Sequence, residues 1–124
     1  MKNGFLKVAV TTPDLRVADC QYNKNQMVEK VKKMADEKVS LVCFPEFSLT
    51  GYTCGDLFLH DTLVEGAKDA LAAYCEETKS YEIVSVVGLP LDHNGKLYNV
   101  AAAMNQGCLL GLTTKSFLPK HVSL

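Results

Sequence analysis

The chain has 124 residues, of which 48% are hydrophobic and 22% are charged, and its formal net charge is −1. This composition is typical of one small folded domain and excludes a disordered chain. The charge is nearly balanced and forms no basic stripe, which argues against nucleic-acid binding. No apolar run reaches the roughly 20 residues of a membrane-spanning helix, so we expect no membrane insertion.

Hydrophobic periodicity predicts an alternation of strands and helices. The apolar segments FLKVAVT (5–11), VSLVCF (39–44) and IVSVVGL (83–89) are predicted strands, the last ended by Pro90. Helices are predicted at 23–37, with Asn23 as the N-terminal cap, and at 62–78. The expected buried stripe of the second helix consists of Leu63, Ala67, Ala70, Leu71 and Tyr74.

The pattern changes after the third strand. The tetrapeptide Asp92–His93–Asn94–Gly95 predicts a hairpin turn, because Asn-Gly favours the positive φ angles of such turns. Two further strands are predicted at 97–104 and 108–114, joined by a turn at 105–107. The order is therefore βαβαβ followed by antiparallel ββ, which predicts an α/β fold with a mixed sheet. Because no closing helix follows, we interpret the chain as part of a longer protein.

The five cysteines, at positions 20, 43, 54, 75 and 108, are odd in number and contain no CxxC pair. They therefore predict neither a zinc site nor a redox pair, and the three scattered histidines add no metal-binding spacing. Cys43, Cys75 and Cys108 are interpreted as core side chains. The pattern favours a reducing, cytoplasmic compartment.

Two charged residues are candidates for chemistry. Glu46 follows a buried strand and stands between Pro45 and Phe47, so we expect lost hydration to raise its pKa toward that of a general base. The alternative is an acid that merely serves the turn. Lys115 follows the fifth predicted strand and could stabilise an oxyanion; the alternative is a solvated lysine.

The stretches FPEFSLTGY, CGDLF and KSFLP, in this order, resemble the nitrilase superfamily, and more narrowly the amino-terminal glutaminase domain of glutamine-dependent NAD synthetases. The resemblance covers essentially the whole chain. It implies a nitrilase-like (carbon-nitrogen hydrolase) layered α/β sandwich, of which residues 1–124 would be an incomplete, amino-terminal portion. The synthetase domain, with its ATP and Mg²⁺, would lie outside this chain, which itself would need no cofactor.

The resemblance also implies a Cys-Glu-Lys triad that hydrolyses the amide of glutamine and supplies ammonia for amidation of nicotinic acid adenine dinucleotide. Glu46 would be the general base, Lys115 the oxyanion clamp and Tyr52 a residue of the glutamine pocket. None of the five cysteines occupies the position of the nucleophile, so we expect the chain alone to be inactive. We further expect a homo-oligomer. Two alternatives stay open, a stand-alone nitrilase-type amidase or carbamoylase and a catalytically dead interaction fragment.

Overall fold

The computed structural model describes residues 7–45, 47–51 and 61–118. These residues form an α/β fold with a mixed sheet, as predicted. Its elements in chain order are β1 (Val8–Val10), α1 (Cys20–Asp36), β2 (Leu41–Cys43), α2 (Asp61–Thr78), β3 (Val84–His93), β4 (Lys96–Asn105) and β5 (Cys108–Leu118).

The five strands lie in the sheet in the order in which they occur in the chain, β1-β2-β3-β4-β5. The first three are parallel, and the two hairpin pairs that follow are antiparallel. Both crossover connections run in the same direction across the sheet. Since such connections are right-handed, this order places α1 and α2 on the same face.

The core lies between that face and the two helices. Met27, Val31 and Tyr74 are fully buried there, and each helix presents the apolar stripe that its periodicity predicts. Phe44 and Tyr74 meet edge to face, with ring centroids 6.4 Å apart. No helix of the described residues is long and apolar enough to cross a membrane.

The prediction that Asn23 caps α1 is wrong. The helix begins three residues earlier, at Cys20, and its cap is Asp19, whose carboxylate accepts a hydrogen bond from the Tyr22 backbone N–H at 3.0 Å. Asn23 lies in the first turns and is fully buried. Its side chain forms hydrogen bonds with the backbone of Arg16 and Leu49 instead of capping the helix.

Pro90 does not end the third strand, which continues to His93. Val86 and Gly88 turn their carbonyl groups toward the β2 side, where they accept from Phe44 N (2.9 Å) and Leu49 N (3.1 Å). Backbone groups two residues apart in a strand face the same side, so Pro90 faces that side too, beyond these bonds. Its missing N–H therefore interrupts no described backbone hydrogen bond, which is the position a strand proline requires.

Both predicted hairpin turns are confirmed. Asn94 and Gly95 have φ angles of 52° and 76°, and Gln106 and Gly107 have φ angles of 51° and 83°. Positive φ at both central residues is typical of the turn type that matches the twist of an antiparallel pair. The tight second turn carries β5 back along the edge of the sheet.

Candidate active site

The turn that follows β2 is held firmly against β3. Leu49 donates its backbone N–H to the Gly88 carbonyl at 3.1 Å, and the Ser48 hydroxyl accepts from the Gly88 N–H at 3.0 Å. Ser48 and Leu49 are fully buried. Glu46 and Tyr52, which the sequence analysis placed in the site, lie outside the described residues, but this turn fixes the backbone between their positions.

The turn is closed by its own backbone. Phe47 O accepts from the N–H groups of Thr50 (3.0 Å) and Gly51 (2.7 Å), and Pro45 O accepts from Ser48 N at 3.2 Å. Gly51 has a φ of 72°, and a Cβ atom there would lie only 2.6 Å from the Arg16 carbonyl oxygen. Glycine is therefore required by both the backbone angle and the space.

Asn23 joins this turn to the loop that precedes α1. Its side-chain oxygen accepts from Arg16 N at 2.6 Å, and its amide nitrogen donates to the carbonyls of Arg16 (2.7 Å) and Leu49 (3.1 Å). A backbone hydrogen bond from Ala18 N to Thr50 O, at 2.8 Å, reinforces the junction. The two segments beyond the ends of β1 and β2 are thus one connected unit.

A small recess of about 170 Å³ lies at this junction, lined by Thr12, Pro13, Asp14, Leu15, Val17, Pro45 and Gly51. It is at the carboxyl ends of the parallel strands β1 and β2, where open α/β sheets place ligands. The recess is smaller than the roughly 300 Å³ at which ligand pockets begin, so by itself it is only part of a substrate site.

Asp14, which lines the recess, forms a small polar cluster with Arg16 and Tyr22 that the sequence analysis did not identify. The Tyr22 hydroxyl donates to the Asp14 carboxylate at 3.0 Å, and the Arg16 guanidinium lies 3.7 Å from the centre of the Tyr22 ring. The hydrogen bond to Asp14 raises the pKa of the Tyr22 hydroxyl above its ordinary value. The three residues belong to a loop and a helix start, so no local motif indicated their proximity.

Lys115 lies inside β5, three residues before its end, and not beyond the strand as predicted. Val100 of β4 pairs with Thr114 while the adjacent Asn99 pairs with Ser116, so Lys115 is the extra residue of a β-bulge. It is exposed, and it makes no ion pair with any residue that the structure describes. Bulges often re-aim a side chain beside an active site, so this placement is compatible with a functional lysine.

Lys115 and the turn after β2 lie at a similar height along the sheet. The bulge of β5 is opposite Val100 of β4, and Val100 pairs with Leu89 of β3. Gly88, next to Leu89, accepts the hydrogen bond from the Leu49 N–H in the turn. Two strands separate them, so the backbones of β2 and β5 are about 14 Å apart at a spacing of about 4.8 Å per strand. Leu49 and Lys115 are 66 residues apart in the sequence (115 − 49), and the topology places only two strands between them.

None of the cysteines that the structure describes forms a disulfide, and none of them is fully buried. Cys108 is exposed, which contradicts its interpretation as a core side chain. Cys43 and Cys75 are only partly buried, and burial raises the pKa of the Cys75 thiol. Cys20 lies in the first turn of α1. Cys54 lies outside the described residues. The described residues also include no cluster of three metal-ligating side chains.

Comparison with known proteins gives this geometry a family context. The family model for carbon-nitrogen hydrolases matches residues 7–122. The glutamine-dependent NAD(+) synthetase of Mycobacterium tuberculosis is 33% identical over 120 residues, which are 97% of this chain and 18% of that protein. The chain thus spans about a fifth of the length of such relatives.

Two solved structures show the same fold. A glutamine-dependent NAD(+) synthetase from Cytophaga hutchinsonii superposes with a TM-score of 0.83 at 25% identity, over 92% of this chain and 19% of that one. An amidase from Nesterenkonia sp. superposes with a TM-score of 0.80 at 16% identity, over 97% of this chain and 47% of that one, and shows the fold alone. The predicted nitrilase-like fold is confirmed, and the chain, with its buried turn after β2 and its bulged β5, belongs to the carbon-nitrogen hydrolase family.

Proposed function

We propose that this chain is the part of a glutamine-dependent NAD synthetase that carries the base and the lysine of its glutaminase site. The observation that carries the proposal is the 33% identity to such a synthetase over 97% of the chain. The likeness to amidases rests on fold alone and does not favour a stand-alone amidase.

The proposed chemistry is hydrolysis of the glutamine side-chain amide. A cysteine thiol at its usual pKa is mostly protonated and needs a base before it can attack the amide carbon. Glu46 is the proposed base, which accepts that proton and then passes it to the departing ammonia. Lys115 is proposed to stabilise the negative oxygen of the tetrahedral intermediate, and Tyr52 to line the glutamine pocket.

The described residues next to Glu46 in the chain support its proposed role. Ser48 and Leu49, which follow Glu46 in the chain, are anchored to β3, and the Leu49 carbonyl also accepts a hydrogen bond from Asn23 of α1. A general base must be held within hydrogen-bond reach of its proton, so a rigid, buried turn suits this role better than a mobile loop. Lys115 lies at a bulge of β5, which is separated from this turn by β3 and β4.

The nucleophilic thiol and the synthetase chemistry are proposed to come from outside this chain. No described cysteine lies in the turn after β2 or on the bulge of β5. ATP and Mg²⁺ are proposed to belong to the synthetase part, as the resemblance to glutamine-dependent NAD synthetases implies. We therefore propose that the 124-residue chain alone releases no ammonia from glutamine, and that the complete protein acts in the cytoplasm.

A segment exchange tests the assignment. The matching 120-residue segment of the Mycobacterium tuberculosis relative is replaced by this chain, and NAD formation is measured with glutamine and, separately, with free ammonia. We expect the exchanged protein to use both nitrogen sources. Glu46→Gln and Lys115→Ala should each lower the glutamine-dependent rate by about 100-fold or more and leave the ammonia-dependent rate unchanged.

The matched control is Glu65→Gln, which removes an exposed carboxylate on α2 and should change neither rate. Retention of the ammonia-dependent rate shows in every variant that the synthetase part is folded. The proposal fails if Glu46→Gln keeps the glutamine-dependent rate, or if the 124-residue chain alone releases ammonia in a reaction that survives Glu46→Ala.

A further inference from the structure

Asn99 of β4 carries a buried polar atom that the packing of the fold does not use. The residue is only 4% exposed. Its side-chain oxygen is buried and accepts no hydrogen bond from any residue that the structure describes. An unpaired buried oxygen destabilises a folded chain, so each one requires an explanation, and a role in catalysis is one such explanation.

Asn99 lies directly beside the bulge that contains Lys115. Asn99 pairs with Ser116 of β5 and Val100 pairs with Thr114, which leaves Lys115 as the additional residue between the two pairs. Opposite residues of an antiparallel pair have Cβ atoms about 5 Å apart, and at a bulge two residues of one strand face a single residue of the other. The side chains of Asn99 and Lys115 therefore start within reach of each other.

Asn99 also lies on the side of Lys115 that faces the turn after β2. It pairs with Pro90 of β3, and Gly88, two residues before Pro90, holds that turn through its N–H and carbonyl groups. A side chain that extends from the bulge toward the turn crosses β4 first. Asn99 is the residue of β4 beside its starting point, so its oxygen is placed to meet the lysine on this path.

We propose that the side-chain oxygen of Asn99 accepts a hydrogen bond from the Lys115 ammonium group and directs it toward the glutaminase site. This inference rests on the proposed function, in which Lys115 stabilises the oxyanion. Lysine has a flexible four-carbon side chain with three N–H donors, so a fixed acceptor is needed to hold its charge in one place. Asn99 is therefore a positioning residue, which acts on the reaction through Lys115.

Asn105 provides a matched comparison within the same strand. Its side-chain oxygen is also buried and has no hydrogen-bond partner in the described part of the chain. Because side chains alternate along a strand, Asn99 and Asn105 lie on the same face of β4. At about 3.3 Å per residue they are roughly 20 Å apart, so Asn105 is remote from Lys115. Replacement of either asparagine alters a buried polar group, but only Asn99 should affect catalysis.

The test uses the full-length synthetase in which this chain replaces the matching segment of the Mycobacterium tuberculosis relative. Asn99→Ala should lower kcat with glutamine by about 10-fold to 100-fold, because a small displacement of a reacting group has effects of this size. KM for glutamine should change by less than about threefold, since the lost contact acts in the transition state. The ammonia-dependent rate should be unchanged, which also shows that the variant is folded.

Two variants separate the loss of the acceptor from a general disturbance of β4. Asn99→Asp keeps an acceptor oxygen in the same place, so it should lower kcat with glutamine less than Asn99→Ala does. Asn105→Ala should leave both the glutamine-dependent and the ammonia-dependent rate unchanged. Equal losses in Asn99→Ala and Asn105→Ala, or in Asn99→Ala and Asn99→Asp, would overturn the proposal.

A double-mutant cycle tests whether Asn99 acts through Lys115. In the Lys115→Ala background, Asn99→Ala should lower the glutamine-dependent rate by less than about twofold, because the group that it positions is already absent. The same fold-loss in both backgrounds would overturn the proposal. If Lys115→Ala itself keeps the glutamine-dependent rate, the proposed function of Lys115 fails together with this inference. If Lys115→Ala lowers that rate and Asn99→Ala does not, only the role of Asn99 fails.

Discussion

Replacement of Asn23 by alanine tests the idea that one buried side chain holds the turn of the candidate site. Asn23 is fully buried and makes three hydrogen bonds, two with the backbone of Arg16 and one with that of Leu49. The variant leaves one N–H and two carbonyl groups of the backbone without this partner. At about 1 kcal/mol for each net hydrogen bond, and more where a group stays buried and unpaired, we expect a loss of about 3 kcal/mol.

The free energy of unfolding is measured by urea titration followed by circular dichroism. A loss of about 3 kcal/mol corresponds to a fall of roughly 10 °C in Tm for a chain of this size. The matched control is Asn25→Ala, which removes an exposed asparagine from the same helix. Since alanine is the better helix former, this control should be neutral or slightly stabilising, by about 0.5 kcal/mol.

Hydrogen exchange locates the effect. The backbone N–H groups of Leu49, Thr50 and Gly51 are bonded within the turn or to β3, and Asn23→Ala should speed their exchange more than that of the β3–β4 ladder. Equal stabilities of Asn23→Ala and Asn25→Ala would refute the reasoning, because the three hydrogen bonds would then contribute nothing.

Two further predictions concern stability. In urea titrations, Gly51→Ala should lower the free energy of unfolding by about 2 kcal/mol more than Gly95→Ala does. Both glycines have positive φ, but only a Cβ atom at position 51 would meet a backbone atom, the carbonyl oxygen of Arg16. Equal losses in the two variants would contradict this steric argument. Burial raises the pKa of Tyr74, so above a pH of about 10 the unfolded chain loses a proton that the folded chain keeps. The free energy of unfolding should therefore fall as the pH rises past that value, and Tyr74→Phe should make this fall less steep. Tyr81→Phe, at a partly buried tyrosine, is the control and should leave the fall unchanged. If the free energy of unfolding of the Tyr74→Phe variant falls as steeply as that of the original chain, Tyr74 is not the cause.

The elements of the fold follow from patterns that are local in sequence. The apolar stripes of α1 and α2 recur at helical spacing because one side of each helix must leave water. Asn94-Gly95 predicts its turn because few residue pairs tolerate positive φ at both positions. Pro90 was misjudged because its effect depends on whether a neighbouring strand needs its N–H. That is a property of the sheet and not of the segment.

The sequence by itself determined the order of the elements, the helical faces, the hairpin turns and the family to which the chain belongs, because each of these depends on residues close together or on short motifs. Only the tertiary structure decided that Asn23 joins two loops, that Lys115 lies on a bulge across two strands from the turn after β2, and that Cys108 is exposed. These features depend on contacts between residues far apart in the chain, and periodicity contains no information about which distant backbone groups a side chain will meet.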